Sequence, residues 1–383
     1  MFCNLQAIVQ TTKFALSSRF MHLHSLQLSQ FKNYTSAGHV FSEHLNLITG
    51  PNGTGKTNLL DAIHYLCNTK SAFLSSDPLA IKHEQDFFRI EGHFQEAEND
   101  IKVECMCQKE NGKSFLVEGK APEKLSAFIG RFPVVLVSPY DTDLVRDGSE
   151  TRRKFFDQVL SQSNQIYLDK LMMYNRLLKQ RNAALKQMTE SGRSNLSLLS
   201  VYDQQILPLN TFISTERNAL IRQFLPLVSQ AYQNLAELAE KPEIVYRSAV
   251  QEPDFETKFL ENQRNDLAAQ RTTMGIHGDE YELLFNNNIL KKYGSQGQQK
   301  TFVLALKLAH FEFISIIRNK KPILLLDDIF DRLDTARVTN LANMVIAKTF
   351  GQVFMTDASP NRTLEIFENE IHDVVSIKTN LVS

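Results

Sequence analysis

The pattern of apolar and polar positions divides the chain into a strand-rich first part and a helical second part. From Met21 to about residue 140, short strand signals alternate with Gly, Asn and Pro. The alternating run 102–107, an Asn-Gly turn signal at 111–112 and the run 114–117 predict a β-hairpin. The apolar run 132–137 predicts a buried strand.

A helical period replaces the strand period from about residue 151. Apolar residues recur at helical spacing across 167–187, and a second helical stretch runs from about 198 to 238. A polar break at 190–195 separates the two stretches, so they predict an antiparallel helical arm. Pro208 and Pro226 are predicted kinks or boundaries of the second helix. The strand period returns near Tyr246.

Residues 50–57 match the P-loop pattern G-x-x-x-x-G-K-[ST] at every fixed position, between a predicted strand and a predicted helix. Glycines let the backbone curl so that amide N–H groups and the helix N-terminus face an anion. The alternative, a Gly-rich turn without a ligand, does not account for this flanking pattern. The pattern predicts a nucleoside triphosphate site formed by Gly50, Pro51, Asn52, Gly53, Thr54, Gly55, Lys56, Thr57 and Asn58.

Two carboxylates complete this site in sequence. In P-loop enzymes the Lys reaches the β- and γ-phosphates and the Ser/Thr hydroxyl holds Mg²⁺, which assigns these roles to Lys56 and Thr57. An apolar strand at 322–326 ends in Asp327 and Asp328, which is the Walker B pattern. Asp327 is predicted to hold Mg²⁺, directly or through water, and Asp328 to orient or deprotonate the attacking water.

A short polar motif precedes a predicted helix at 299–308. Ser295, Gly297 and Gln298 match the S-x-G-Q signature of ABC-type ATPases, although a plain helix cap also explains the motif alone. In that superfamily the signature of one subunit closes over ATP bound by another, because a helix N-terminus then faces the γ-phosphate. Leu333 and Asp334 fit the D-loop, and Asp357 stands where transporters place a histidine.

Composition places these motifs in an ordinary globular chain. The 383 residues are 43% hydrophobic and 22% charged, with room for two or three domains and no apolar run long enough to cross a membrane. The four cysteines are predicted to be free thiols in a reducing cytosol. Residues 1–20 are expected to be disordered or to precede a true start at Met21.

As an ordered set, these motifs resemble the RecF family of bacterial recombination mediators from Met21 to about residue 370. Residues 31–34, Phe-Lys-Asn-Tyr, resemble the family's aromatic-basic-Asn-Tyr motif, with Lys32 where Arg is usual. This likeness adds Lys32 and Asn33 to the predicted nucleotide-binding set. Residues 275–279 resemble a Gly-Pro-His-Arg-Asp stretch, with Ile276 and Gly278 in place of Pro and Arg.

The resemblance implies an α/β fold, an ABC-type ATPase head with a P-loop mixed sheet and a helical arm inserted between Walker A and the signature. The expected division is a head at 21–140 and 272–378 and an arm at 141–271. The family's members act in DNA replication, repair and the SOS response to DNA damage in the cytoplasm. They dimerise on ATP, bind double-stranded or gapped DNA and, with RecR, promote RecA loading, in a pathway that includes RecO.

Slow, DNA-dependent ATP hydrolysis then acts as a switch in that family. Transporter ATPases and most ABC enzymes carry Glu where this chain has Asp328, and a shorter carboxylate that positions water less well would suit slow turnover. Since the net charge is −1, DNA contacts must come from a local patch. Residues 151–193 hold nine Lys or Arg against three acids, a local charge of +6.

The predicted DNA-binding residues in this patch are Arg152, Arg153, Lys179, Arg181 and Lys186. The alternative is that these are solvated helix faces, with Arg153 or Arg181 paired internally. Three other functions are less consistent with the sequence. A transporter ATPase subunit would place its motifs closer than the 271 positions between Lys56 and Asp327. An SMC-like structural ATPase would carry a much longer arm, and a nuclease fused to an ABC head would need a second acidic cluster.

Overall fold

A computed structural model of the chain describes residues 21–192, 196–236, 240–329, 334–358, 367 and 374–378. The predicted N-terminal extension at 1–20 and the D-loop residue Leu333 lie outside these residues. The described strands are β1 (Met21–Phe31), β2 (Tyr34–Val40), β3 (Leu45–Thr49), β4 (Phe87–Glu96), β5 (Asn99–Gln108), β6 (Gly112–Val117), β7 (Val134–Val137), β8 (Pro242–Arg247), β9 (Glu280–Phe285), β10 (Asn288–Ile289), β11 (Ile323–Leu326), β12 (Val353–Asp357) and β13 (Val374–Lys378).

The helices connect these strands and build the arm. They are α1 (Lys56–Asn68), α2 (Asp143–Arg146), α3 (Ser149–Ser163), α4 (Gln165–Ser191), α5 (Leu196–Ala236), α6 (Phe255–Glu261), α7 (Gln263–Ala269), α8 (Leu290–Tyr293), α9 (Gln296–Arg318) and α10 (Thr335–Ile346). Short 3₁₀ turns lie at Asp77–Ala80, Leu125–Phe128, Pro139–Thr142, Ala249–Gln251 and Ile276–Gly278.

The strands form three sheets, and the order of one of them positions the functional motifs. An antiparallel sheet has the order β2-β1-β4-β5-β6, a small sheet has the order β10-β9-β8, and a parallel sheet has the order β13-β3-β12-β11-β7. The P-loop follows β3, and the Walker B carboxylates follow β11. Because parallel strands end at one edge, β12 between them brings the two motifs to neighbouring points.

Helix α1 lies between the antiparallel and parallel sheets. Its apolar residues share one buried cluster with residues of both sheets, including Leu23, Ile90, Ile48 and Leu325. The other face of the parallel sheet packs with α3, α5 and α9 in a second cluster. Alternate residues of β11 therefore face opposite cores, as the uninterrupted apolar sequence of a fully buried strand requires.

The structure confirms most of the predicted elements. The strand before the P-loop, the hairpin of β5 and β6, and the buried strand β7 all form, as do both long helices. Pro208 and Pro226 are the exception, because α5 continues through both and neither ends it. A proline removes one hydrogen bond of a helix, and packing of α5 along α4 and α9 outweighs that loss in 41 residues.

The arm is the antiparallel pair α4 and α5. Asn164 at the start of α4 bonds to Glu216 at 3.1 Å, whereas Arg181 near its end bonds to Asp203 near the start of α5. At 1.5 Å per residue, α5 is about 60 Å long. The predicted boundary between 271 and 272 stays a prediction, and it would separate β8 from its antiparallel partner β9.

Arg181 is a structural residue, and its prediction as a DNA contact is wrong. Its side chain is fully buried, so it cannot reach a phosphate. Its Nε donates to Asp203 at 2.7 Å, and one Nη donates to Asp266 at 2.6 Å and to Thr272 at 2.8 Å. The guanidinium therefore joins α4, α5 and α7, and both of its carboxylate partners are buried as well.

Replacing Arg181 with Met tests this role. The change leaves Asp203 and Asp266 buried without their cation, so we expect the free energy of unfolding to fall by about 3–5 kcal/mol. Denaturant unfolding followed by circular dichroism measures the change. Lys179→Met is the matched control, since Lys179 is exposed two positions away and its loss should cost less than about 0.5 kcal/mol. Equal stability of the two variants would contradict the assignment.

Candidate nucleotide site and signature helix

The P-loop curls in the way its glycines permit. Gly50, Gly53 and Gly55 have φ angles of 152°, 84° and 104°, and Gly55 is the N-cap of α1. Lys56 begins α1, and its ammonium donates to the carbonyls of Gly50 at 2.7 Å and Pro51 at 3.0 Å. The loop thus encloses its own lysine at the positive end of a 13-residue helix. This geometry suits a polyphosphate, whose oxygens accept from N–H groups.

The turn between β1 and β2 holds the P-loop from one side. The Tyr34 hydroxyl donates to the Gly55 carbonyl at 3.1 Å, and Asn58 on α1 donates to the Asn33 side chain at 2.8 Å. A Cβ atom at Gly55 would lie 2.6 Å from Asn33. Gly55 is therefore required both by its left-handed backbone and by this close approach.

Lys32 lies in the same turn but is bound to α1. Its ammonium pairs with buried Asp61 at 2.6 Å and lies 5.7 Å from the Phe31 ring centre and 5.4 Å from that of Phe73. Asp61 also accepts from Ser71 at 2.6 Å. These contacts fix the turn against the helix, and the direct nucleotide contact predicted for Lys32 stays a prediction.

The Walker B carboxylates meet the P-loop at the edge of the parallel sheet. Thr57 Oγ1 donates to the Asp327 carboxylate at 2.9 and 3.0 Å, and Thr356 Oγ1 donates to it at 2.8 Å. The backbone N–H of Asp328 donates to Thr356 Oγ1 at 2.9 Å. Asp328 has a φ of 47°, a left-handed conformation that Asp tolerates better than most residues. Thr356 thus orients both carboxylates from β12.

A cavity of about 550 Å³ empty volume joins the two motifs, within the range of small-ligand sites. Burial, and then the neighbouring charge of Asp328, raise the pKa of Asp327. The oxygens of Thr57 and Asp327 converge within 3.0 Å, which is the ligand type that Mg²⁺ prefers. A bound cation would favour the ionised carboxylate, so its binding should release protons. The lining residues are Asn52, Gly53, Gly55, Lys56, Thr57, Asn58, Asp327 and Asp328.

The signature lies at the exposed start of α9. Ser295 Oγ accepts from the Gln298 N–H at 3.2 Å, and the Gln298 side-chain oxygen accepts from the Ser295 N–H at 2.7 Å. This reciprocal capping box is why α9 begins here. Ser295, Gly297 and Gln298 are not among the residues that line the P-loop cavity. One chain therefore brings Walker A and Walker B together but leaves the signature apart.

The remaining DNA-binding candidates divide into two groups. Arg152 donates to Glu280 at 2.9 Å, and Arg153 donates to the carbonyl of Asp279 at 2.6 Å. Both guanidinium groups thus tie α3 to the start of β9, which makes them structural residues. Lys179 and Lys186 are exposed on α4. They are seven positions apart, so they lie on one face of the helix.

Two contributors to the site were not assigned by sequence reasoning. Thr356 was recognised only as part of a strand, and Tyr34 only as part of a motif. Their hydroxyls complete the site from distant positions, since each partner is at least 21 residues away in the chain. An aromatic hydroxyl in a turn or a threonine at a strand end gives no local signal of such a partner.

Comparison with known proteins identifies the family. The family model described as "RecF/RecN/SMC N terminal domain" matches residues 22–379. A curated relative from Cytophaga hutchinsonii, named "DNA replication and repair protein RecF", is 41% identical over 92% of this chain and 93% of its own length. The chain belongs to the RecF family. A RecF relative from Flavobacterium johnsoniae is also 41% identical, over 91% of this chain and 97% of its own length.

Solved RecF structures share the whole fold. The structure of "the recombination mediator protein RecF-ATPrS in RecFOR pathway" has a TM-score of 0.82 at 27% identity and covers 96% of this chain and 98% of its own. The corresponding RecF-ATP structure has a TM-score of 0.83 at 28% identity, over 90% and 94%. An Smc head domain from Pyrococcus furiosus has a TM-score of 0.54 at 15% identity over 94% of each chain, which shows a common ATPase-head fold. Within the described residues, no helix has the length and apolar character to cross a membrane.

Gly55→Ala tests the contact between the turn and the P-loop. The substitution adds left-handed strain of about 1–2 kcal/mol and a clash with Asn33, so we expect weaker nucleotide binding and a lower unfolding temperature. Gly53→Ala is the matched control, because its φ of 84° imposes similar strain while nothing lies within 4 Å of the added Cβ. Thermal unfolding and binding of a fluorescent ATP analogue measure both effects. An equal loss of stability in both variants would show that the turn gives way easily.

Proposed function

We propose that this chain is an ATP-dependent DNA-binding protein of recombinational repair, whose ATP site is completed by a second copy of the chain. The observation that carries this proposal is the separation of the motifs. The Walker carboxylates and the P-loop line one cavity, whereas the signature caps an exposed helix elsewhere on the same chain. The RecF relatives and the RecF-ATP structure support both the nucleotide and the repair role.

In this proposal ATP binds with Mg²⁺ at the P-loop. Lys56 turns from the loop carbonyls to the β- and γ-phosphates, and Thr57 and Asp327 hold the cation. Lys32, Asn33 and the residues from Gly50 to Asn58 complete the nucleotide contacts. When bound, Mg²⁺ neutralises phosphate charge and orients the γ-phosphate.

The partner's Ser295, Gly297 and Gln298 would close over the γ-phosphate. The Ser295 hydroxyl already accepts a hydrogen bond from Gln298 N–H, which leaves its own proton to donate to a phosphate oxygen. Closing two such sites joins two chains through nucleotide, so ATP acts as part of the interface. Hydrolysis then removes the γ-phosphate that both chains hold.

Asp328 is the residue we assign to the attacking water. The N–H bond to Thr356 fixes its backbone beside Asp327, and its side chain reaches the cavity. An aspartate is one methylene shorter than the glutamate of fast ABC ATPases, so water is held farther from it. We therefore expect slow, DNA-dependent turnover that resets the dimer.

A pair of substitutions separates nucleotide binding from hydrolysis. Lys56→Met removes the phosphate-binding cation, so ATP should no longer drive dimerisation. Asp328→Asn keeps the phosphate contacts but removes the carboxylate, so hydrolysis should fall about 100-fold and the ATP dimer should persist. Sedimentation velocity with and without ATP-Mg²⁺, together with phosphate release, measures both variants. A Lys56→Met protein that dimerises on ATP as the wild type does would refute the composite site.

DNA binding is proposed on the arm and stands on exposed cations of α4. Lys179 and Lys186 face solvent, and Lys170 and Arg176 are exposed on the same helix. We propose that a head at 21–140 and 272–378 carries this arm at 141–271 in the cytoplasm. RecR, RecO and RecA are the proposed partners, with RecA loaded on gapped DNA.

Reversing the charge of both lysines tests this surface. Lys179→Glu with Lys186→Glu should weaken duplex and gapped DNA binding and lower the salt dependence, with a slope of about 0.9 lost per phosphate contact. ATP binding should be unchanged, because the P-loop lies elsewhere. Fluorescence anisotropy across salt concentrations measures the effect.

The control for this experiment makes the same change of charge on the antiparallel sheet. Lys109 and Lys120 are both exposed there, at the end of β5 and beyond β6. Lys109→Glu with Lys120→Glu should leave DNA affinity near the wild-type value. Equal losses in both double variants would assign the effect to net charge, and the arm would then lose its proposed role.

A further inference from the structure

The signature of this chain is hydrogen-bonded to the end of the long arm helix. Gln298 Nε2 donates to a Glu240 carboxylate oxygen at 2.5 Å, and the Tyr232 hydroxyl donates to the other oxygen of the same carboxylate. Tyr232 lies on the penultimate turn of α5, which ends at Ala236, and Glu240 follows four residues later. One carboxylate thus joins α5 to the first turn of α9.

Glu240 determines which way the Gln298 amide faces. An ionised carboxylate only accepts hydrogen bonds, so the amide nitrogen of Gln298 must face Glu240. The amide oxygen is then directed to the Ser295 N–H, which it accepts at 2.7 Å. The capping box that presents Ser295 is therefore set by a residue outside the signature helix. Without Glu240, the amide is free to rotate and the cap loses its fixed orientation.

Tyr232 gives this contact a rigid base. Its side chain is fully buried, and its ring packs edge-on against Phe285 of β9 at 5.1 Å. Phe285 in turn packs against Phe302 of α9 at 5.2 Å. Burial, followed by the bond to Glu240, raises the pKa of Tyr232, so its hydroxyl stays protonated and remains a donor. The carboxylate is thus held by a residue whose own position is fixed by the core.

The same end of α5 also contacts the helix that follows the D-loop. Asn340 of α10 donates to the Leu235 carbonyl at 3.1 Å, which satisfies one of the acceptors left open in the last turn of a helix. Asp334 caps α10 by accepting from the Arg337 N–H at 3.0 Å. Both elements that ABC-type dimers present to the partner's nucleotide are therefore anchored to the last turns of one arm helix.

We infer that Glu240 is a positioning residue for the composite ATP site, which links the signature to the arm through Tyr232 and Gln298. This inference rests on the proposed ATP-dependent dimer and adds a residue outside all of its motifs. A displacement of α5 would move the carboxylate and turn the signature cap with it. Conversely, closure of Ser295 over a partner's nucleotide would pull on α5 and hence on the arm.

The test is Glu240→Ala in the full-length chain. The P-loop is untouched, so ATP-Mg²⁺ binding to the monomer should equal that of the wild type. The dissociation constant of the ATP-driven dimer should rise about tenfold, the value of a lost charge-assisted hydrogen bond. Glu256→Ala, which removes an exposed carboxylate from α6, is the matched control and should change neither quantity.

Tyr232→Phe distinguishes positioning from loss of packing. The substitution keeps the buried ring and removes only the bond to Glu240, so dimerisation should weaken by less than in Glu240→Ala. If the hydroxyl acts through Glu240, the double variant should be no worse than Glu240→Ala alone. Additive losses would overturn the inference. If Glu240→Ala does not fold, Tyr232→Phe still decides, because wild-type dimerisation by that variant would overturn the link.

The wild-type arm of the experiment separates this inference from the proposed function. A wild-type chain that stays monomeric with ATP-Mg²⁺ would refute the composite site itself. A wild type that dimerises, with Glu240→Ala dimerising equally well, would refute only the role of Glu240. Dimerisation is measured by sedimentation velocity, and ATP affinity is measured on the same preparations.

Discussion

The hydrogen-bonded group formed by Thr57, Asp327 and Thr356 is the contact on which the site depends. It joins the helix after β3, the end of β11 and the end of β12, three elements that are neighbours only in the folded sheet. Burial raises the pKa of Asp327, so the carboxylate is held in a position that a cation would favour. The neutral hydroxyls satisfy its oxygens without cancelling its charge, and they leave that charge for a metal.

Around this group, the fold divides its charged residues between structure and function. Arg181, Arg152 and Arg153 bond to carboxylates or carbonyls of the protein, whereas Lys179 and Lys186 extend into solvent. The division follows side-chain chemistry. A planar guanidinium satisfies several buried acceptors at once, whereas an ammonium on a flexible stem is more strongly hydrated. The excess positive charge of the arm therefore overstates the charge available to bind DNA.

The signature and the P-loop have opposite surroundings in one chain. The P-loop is enclosed by its own carbonyls, the β1–β2 turn and the Walker B strand, while the signature is exposed and held from behind by Glu240. Such an arrangement fits a site that closes between two chains. The arm helix contacts the signature side of the head, so movement of the arm and closure of the site involve the same hydrogen bonds.

The sequence alone determined the local elements and the motifs. Glycine spacing, the apolar strands and the capping pattern at Ser295 are local features, and the strand, loop and helix around Lys56 form as predicted. Only the tertiary structure decided which partners those residues meet. The burial of Arg181, the hydroxyls of Tyr34 and Thr356, and the bond from Gln298 to Glu240 join residues 21 to 85 positions apart. Hydrogen bonds across such separations depend on how helices and sheets pack, and no local pattern of residues encodes them.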